Sequence, residues 1–229
     1  MINPLKKSAL ALLLSIFSLC ASAQANQQLR DSLSAATELL SYHPDSLELR
    51  MKKASWNVQL EQWDYAKNEY DYVIGREPAN IAARYYRAFV NEKLRRYSFA
   101  RLDYEAVLTI VPGNFEATLG LALLNQKDNH RTEALDLINR LVDNFPDSAV
   151  AYAARAGIEK ERKMLTLADY DFEQASKLDP DNVDYKLNRI ELLIAMKRND
   201  EALRILNALS ASGFPMGQLR KYYKEARKS

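Results

Sequence analysis

Five prolines divide the chain at a fixed interval. Pro44, Pro78, Pro112, Pro146 and Pro180 recur with a period of 34, and Pro215 follows one position late. Twelve residues before Pro78, Pro112, Pro146 and Pro180, and thirteen before Pro215, stand Ala66, Ala100, Ala134, Ala168 and Ala202. Four residues beyond those alanines come Tyr70, Tyr104, Ile138, Phe172 and Leu206, and twelve before them come Ala54, Ala88, Ala122, Ala156 and Ile190. Four columns in register over five periods describe an internal repeat, and a period of this length is that of a helix–turn–helix unit. The chemistry of the columns explains the length. Two antiparallel helices approach closely only where side chains are small, so Ala54 on a first helix is expected to face Ala66 on a second. The bulky residue four positions on lies on the same helix face and fills the space beyond the contact. Proline cannot continue a helix and restricts the residue before it, so it closes the second helix and sets the turn that follows. Asp45, Asn80, Asn114, Asp147 and Asp181 stand near the next helix starts as candidate caps.

Composition agrees with helices. Gly (6) and Pro (7) are few, and runs of β-branched residues are scarce, in a chain that is 48% hydrophobic. The reading is an all-α array of about twelve helices.

Residues 1–23 fall outside the repeat. Lys6 and Lys7 precede an apolar run from Ser8 to Leu19, which is too short to span a bilayer, and Ala21-Ser22-Ala23 follows. Residues 1–23 read as an export signal of bacterial form, with cleavage after Ala23 or, as a second possibility, after Ala25. The expected destination is the periplasm or the cell exterior. Cys20 is the only cysteine. A lipidated cysteine is the alternative reading, but Leu19 stands where a small residue is expected, and membrane association follows only if Cys20 carries a lipid. Losing the signal removes Cys20 and leaves no thiol for a disulfide, a nucleophile or a metal site. It also removes two of the 32 basic residues, so the remaining 30 balance the 30 acidic ones. That balance argues against nucleic acid as a partner.

Small residue, then alanine, then aromatic, then proline at a 34-residue period resembles the tetratricopeptide repeat (TPR) family. The resemblance covers roughly Leu47 to Phe214 and divides the chain as follows. Residues 24–46 form an N-terminal half-repeat helix. Five repeats span 47–80, 81–114, 115–148, 149–182 and 183–215. Residues 216–229, with Met216, Leu219, Tyr222 and Tyr223, form a C-terminal capping helix that covers the last apolar face. The fold that the resemblance implies is a right-handed TPR superhelix, an α-solenoid of antiparallel helix pairs. The family's tryptophan position is not kept, since Arg50, Arg84, Thr118, Tyr152 and Lys186 stand there.

Comparing repeats reveals a pairing. Three residues past that position stand Lys53, Arg87, Leu121, Arg155 and Arg189, and sixteen residues further stand Glu69, Asp103, Leu137, Asp171 and Ile205. Base accompanies acid in three repeats, and both become leucine in the third. Ion pairs Lys53–Glu69, Arg87–Asp103 and Arg155–Asp171 are therefore expected within repeats, with Arg189 left unpartnered.

The resemblance implies that the first helices line a concave groove. One groove column reads Met51, Tyr85, Leu119, Ala153, Leu187, and the next reads Ser55, Phe89, Leu123, Gly157, Glu191, with Tyr86 beside Tyr85. Lys93, Lys127 and Lys160 lie near its rim. The candidate partner-binding residues are Tyr85, Tyr86, Phe89, Lys93, Leu119, Leu123 and Lys127. An apolar and aromatic patch not consumed by a core marks a protein-binding surface, although solenoid walls also use such residues to pack repeats together. The clamp by which some relatives grip a C-terminal carboxylate is missing, because its positions hold Met51, Ser55, Tyr86, Glu116 and Gly120. Asn57, Asn91 and Asn125 form one more column. These are either a ladder for an extended peptide or buried amides satisfied by nearby helix ends.

No catalytic constellation is present. His43 and His130 have no companion at metal-ligand spacing, and neither a phosphate-binding glycine loop nor a nucleophile elbow occurs. No cofactor or metal is expected. The expected function is a non-catalytic scaffold that binds a protein or peptide in its groove. The alternative is a lipid-anchored or envelope-complex accessory subunit that uses its convex face or chain ends, with self-association possible at an imperfectly capped end.

Overall fold

The computed structural model describes Gln24 and residues 26–228, so the expected signal (1–23), Cys20 and Ala25 lie outside the described residues. The described residues form α-helices joined by short turns, with no strand among them. Helix α1 runs over 26–42. It is followed by α2 (Leu47–Gln59), α3 (Trp63–Arg76), α4 (Ile81–Lys93), α5 (Tyr97–Ile110), α6 (Phe115–Lys127), α7 (Arg131–Asn144), α8 (Ala149–Glu161), α9 (Leu165–Leu178), α10 (Val183–Ala195), α11 (Asn199–Ala211) and α12 (Met216–Ala226). The chain forms two compact bodies, an N-terminal one ending at Ile110 and a C-terminal one beginning at Val111. Within each body, helices pack on their sequence neighbours.

The small-residue contacts close each pair. Ala54, Ala66, Ala88, Ala100, Ala122, Ala134, Ala156, Ala168 and Ala202 are all fully buried. Beyond them Tyr70, Tyr104, Ile138, Phe172 and Leu206 are buried as well. In the N-terminal body Ala54, Ala66, Tyr70, Val73, Ala83 and Val90 form one cluster. In the C-terminal body α12 lays Leu219, Tyr222 and Ala226 onto Ile190, Leu193, Leu206 and Leu209.

The helix starts correct one expectation. The caps are Ser46, Asn80, Asn114, Ser148 and Asn182, whose side chains accept from the N–H of Leu49, Ala83, Ala117, Ala151 and Asp184. Asp45, Asp147 and Asp181 stand one position too early. A cap must occupy the last non-helical residue for its oxygen to reach the N–H two or three positions ahead. Asp45 instead accepts from the Tyr72 hydroxyl at 2.7 Å and from Arg76 at 3.0 Å.

The turn inside each pair repeats with equal regularity. Glu61, Arg95, Asn129, Lys163 and Lys197 have φ between 56° and 65°, the left-handed region. Their N–H groups donate to the carbonyls of Val58, Glu92, Gln126, Lys160 and Ile194, and the next residue's N–H donates to Asn57, Asn91, Asn125, Glu159 and Leu193. This is the Schellman arrangement, which satisfies the last carbonyls of a helix from its own main chain. It reverses the chain within a few residues and sets the second helix alongside the first.

Candidate binding surface

Helix α4 supplies most of the expected groove residues. Its period places Tyr85, Tyr86 and Phe89 on one side and Ala83, Ala88 and Val90 in the core. Tyr86 is 46% exposed. Its ring stacks on Tyr70 at 6.1 Å and meets the edge of Tyr85 at 5.3 Å, and Tyr85 lies 5.9 Å from the Tyr104 ring. Phe89 meets the edge of Trp63 at 6.2 Å. Lys93 is not only a rim cation, since its Nζ lies 5.1 Å from the Phe89 ring and 5.7 Å from Trp63, within cation–π range. Beside this aromatic group is a cleft of about 330 Å³, lined by Met51, Ser55, Trp56, Val58, Tyr70 and Tyr86. Burial, together with the neighbouring Tyr86, pushes the Tyr70 hydroxyl above its ordinary range. The surface presents ring faces with a few hydroxyls. Leu119, Leu123 and Lys127 belong to α6 of the C-terminal body, where Leu119 is half-buried, Leu123 is 44% exposed and Lys127 is exposed.

The ionic columns are organised around buried carboxylates. Lys53 Nζ lies 2.8 Å from Glu69. Arg87 donates to Asp103 through Nε at 2.8 Å and Nη2 at 2.6 Å, and Arg155 to Asp171 at 2.6 and 2.9 Å. These bidentate bonds to carboxylates hold both guanidiniums above their ordinary range. Two features are not apparent from the repeat columns. Arg50 and Arg84, at the lost tryptophan position, reach the same acids, Glu69 at 2.9 Å and Asp103 at 3.3 Å. Arg189 is not unpartnered, because it donates to Asp169 at 2.6 Å and Glu173 at 2.9 Å on the preceding helix α9. With Ile205 in its own repeat, the guanidinium turns to the neighbouring one, as Arg87 also does to Asp71 at 2.8 Å.

The asparagine column is buried: Asn57 and Asn91 are each 2% exposed and Asn125 is 5%. Helix ends do not satisfy all of it, since Asn57 Nδ2 and Asn91 Oδ1 make no hydrogen bond. The carbonyls at that end of the helix are already taken by the Schellman bonds. In the fourth repeat the same position holds Glu159, which is 5% exposed and has an unpartnered Oε2. Burial, helped by the Asp171 carboxylate and opposed by Arg155, pushes its pKa up to about 7.

A second apolar surface, outside the small-residue and ionic columns, lies on the second helices. Tyr65, Phe99 and Leu102 are 68%, 61% and 62% exposed in the N-terminal body, and Leu167 and Tyr170 are 50% and 56% exposed in the other. Tyr65, Phe99 and Leu167 occupy one repeat position, a regularity visible in the sequence once the period is known. Among the described residues no group of three or more His, Cys, Asp or Glu is placed to hold a metal ion. No described helix is long and apolar enough to cross a membrane.

Antiparallel helix pairs that recur with a period of 34, each closed by small residues and a left-handed turn, define an α-helical repeat protein. Residues 164–214 match the family model described as tetratricopeptide repeat, and the chain has the TPR solenoid fold. A tetratricopeptide repeat protein from Parabacteroides merdae ATCC 43184 is similar with a TM-score of 0.69 at 21% identity, over 98% of this chain and 86% of that one. PilW, a widely conserved type IV pilus biogenesis factor, is similar with a TM-score of 0.70 at 18% identity, over 85% of this chain and 90% of its own. YrrB, a TPR protein with an unusual peptide-binding site, is similar with a TM-score of 0.57 at 18% identity, over 85% of this chain and 98% of its own. No curated protein matches the chain.

Proposed function

We propose that this protein is a non-catalytic interaction scaffold, exported to the periplasm or cell exterior, that buries a peptide or partner helix on its first-helix face. The observation that carries this reading is the aromatic group of Tyr85, Tyr86 and Phe89. Tyr86 is stacked on a neighbour yet nearly half exposed beside an open cleft. Rigid aromatic rings offer a large contact area at little entropic cost and are enriched where proteins meet. Leu119 and Leu123 hold the same repeat positions on α6 of the C-terminal body. YrrB, by its description a protein with a peptide-binding site, shares the fold and supports the class of activity. The test is affinity capture from envelope extract with the protein and with a Tyr86→Ser/Phe89→Ala variant of equal helicity. A partner held by the parent and lost by the variant supports the reading, whereas equal retention moves the site elsewhere.

A second reading rests on the exposed Tyr65, Phe99 and Leu102. In it the protein is an accessory subunit of an envelope assembly that docks through its second helices, tethered to the membrane if Cys20 is lipidated. Loss of the same captured partner on Phe99→Ser, with Tyr86→Ser silent, selects this reading. Palmitate labelling that disappears on Cys20→Ala tests the tether.

A further inference from the structure

Two clefts on the second-helix face of the N-terminal body are copies of one another. The first, of about 660 Å³, lies between α1 and α3 and is lined by Thr37, Lys53, Asn57, Gln62 and Tyr65 among others. The second, of about 450 Å³, lies between α3 and α5 and is lined by Asp71, Arg87, Asn91, Arg96 and Phe99 among others. Lys53 and Arg87, Asn57 and Asn91, Gln62 and Arg96, and Tyr65 and Phe99 are each one repeat period apart. Each cleft therefore has a buried asparagine, a cation held by a carboxylate on its wall, and an exposed aromatic ring at its mouth.

The asparagines are the unusual part. One end of each amide is unsatisfied, Nδ2 in Asn57 and Oδ1 in Asn91. Buried polar groups ordinarily find partners, and an orphan destabilises the fold that carries it. The scaffold does not require an amide there, because the fifth repeat places Leu193 at this position, fully buried. The cations that line the clefts are already engaged: Lys53 by Glu69, Lys67 by Asp71, Arg87 by Asp103 and Asp71, and Arg96 by Asp64. What remains unpaired in each cleft is one end of a buried, uncharged amide, with an exposed aromatic ring among the residues that line the cleft.

We propose that these paired clefts bind an extended, non-acidic peptide segment of a protein partner. Peptide groups of the segment would hydrogen-bond to Asn57 and Asn91, and its apolar side chains would rest on Tyr65, Phe99 and Leu102. Asn57 leaves a donor unpaired and Asn91 an acceptor, and a peptide group, which an extended backbone presents at every residue, carries the complement of each. Acidic side chains on the segment find no free cation in the clefts. This surface is separate from the first-helix face and does not depend on that reading.

The test uses a phage-displayed library of random dodecapeptides selected on the purified protein, followed by affinity measurement of the enriched peptides. The proposal expects among the enriched peptides a class low in acidic residues, whose binding weakens at least tenfold with Phe99→Ser and at least tenfold with Asn91→Leu, and is unchanged with Tyr42→Ser, an exposed ring that lines neither cleft. Asn91→Leu keeps the side chain's size, and Leu193 shows that the fold accepts leucine there, so circular dichroism is expected to match the parent. Phe99 is exposed, and Phe99→Ser gives an independent arm if Asn91→Leu disturbs packing. The Asn57 and Asn91 side-chain amide resonances should shift on adding an enriched peptide. An enriched set in which every peptide survives both substitutions, unshifted amide resonances, or no enrichment at all would overturn the proposal; in the last two cases the amides are met by water alone.

Discussion

At the residue scale, one repeat position has three different fates. Asparagine occupies it in the first three repeats, Glu159 in the fourth and Leu193 in the fifth, and all are buried. For Glu159 burial has a consequence in solution. Its pKa is pushed up to about 7, so the folded chain holds a proton there that the unfolded chain, with an ordinary glutamate, releases near pH 4.5. Between those values the native state binds more protons, and stability falls as pH rises. Glu159→Gln removes this dependence. Urea unfolding should show the parent losing about 2–3 kcal/mol relative to Glu159→Gln as pH rises from the lower value to just above the higher one. Parallel pH profiles would show that Glu159 titrates normally. None of this is visible in the residue type, because it arises from burial, from the nearby Asp171 and from the lack of a partner for Oε2.

At the scale of the element, each helix pair is defined by its ends. Cap and turn together satisfy the main chain, and the turn requires one residue with positive φ. Inside the five pairs that residue is never glycine. A left-handed L-residue costs about 1–2 kcal/mol, whereas glycine costs less there but loses more freedom on folding. Arg95 is exposed, so Arg95→Gly is expected to raise stability by about 0.5–1 kcal/mol, and Arg95→Val to lower it by a similar amount or more. Chemical denaturation midpoints of the two variants check the sign. The helix pairing itself was legible in advance, because alanine against alanine is a local rule that a period of 34 makes conspicuous. The caps were displaced by one position, because acids stand directly beside serine or asparagine after the prolines and only backbone geometry selects between them.

At the scale of the whole molecule, a repeat array is stable only if its last apolar face is covered. Helix α12 does this through Leu219, which is fully buried, and Tyr222. Leu219→Ala is expected to cost about 2–5 kcal/mol. It should also loosen α12 and expose Ile190, Leu206 and Leu209, so the variant should self-associate with rising concentration. Sedimentation velocity and thermal unfolding measure the two effects, and an unchanged melting temperature would mean that α12 is not a structural cap.

The sequence alone determined the period, the helix pairs, the small contacts that close them and the carboxylate partners of Lys53, Arg87 and Arg155. Each of these follows from spacing within one repeat, and spacing is written in the chain. Only the tertiary structure decided which acids Arg189 would take in the fifth repeat, which amide ends would be left without a partner, and which aromatic rings would face outward. Those outcomes depend on atoms brought in by the turn that follows each first helix or by a neighbouring repeat. Hydrogen-bond geometry and burial at those places, not residue type, settle them.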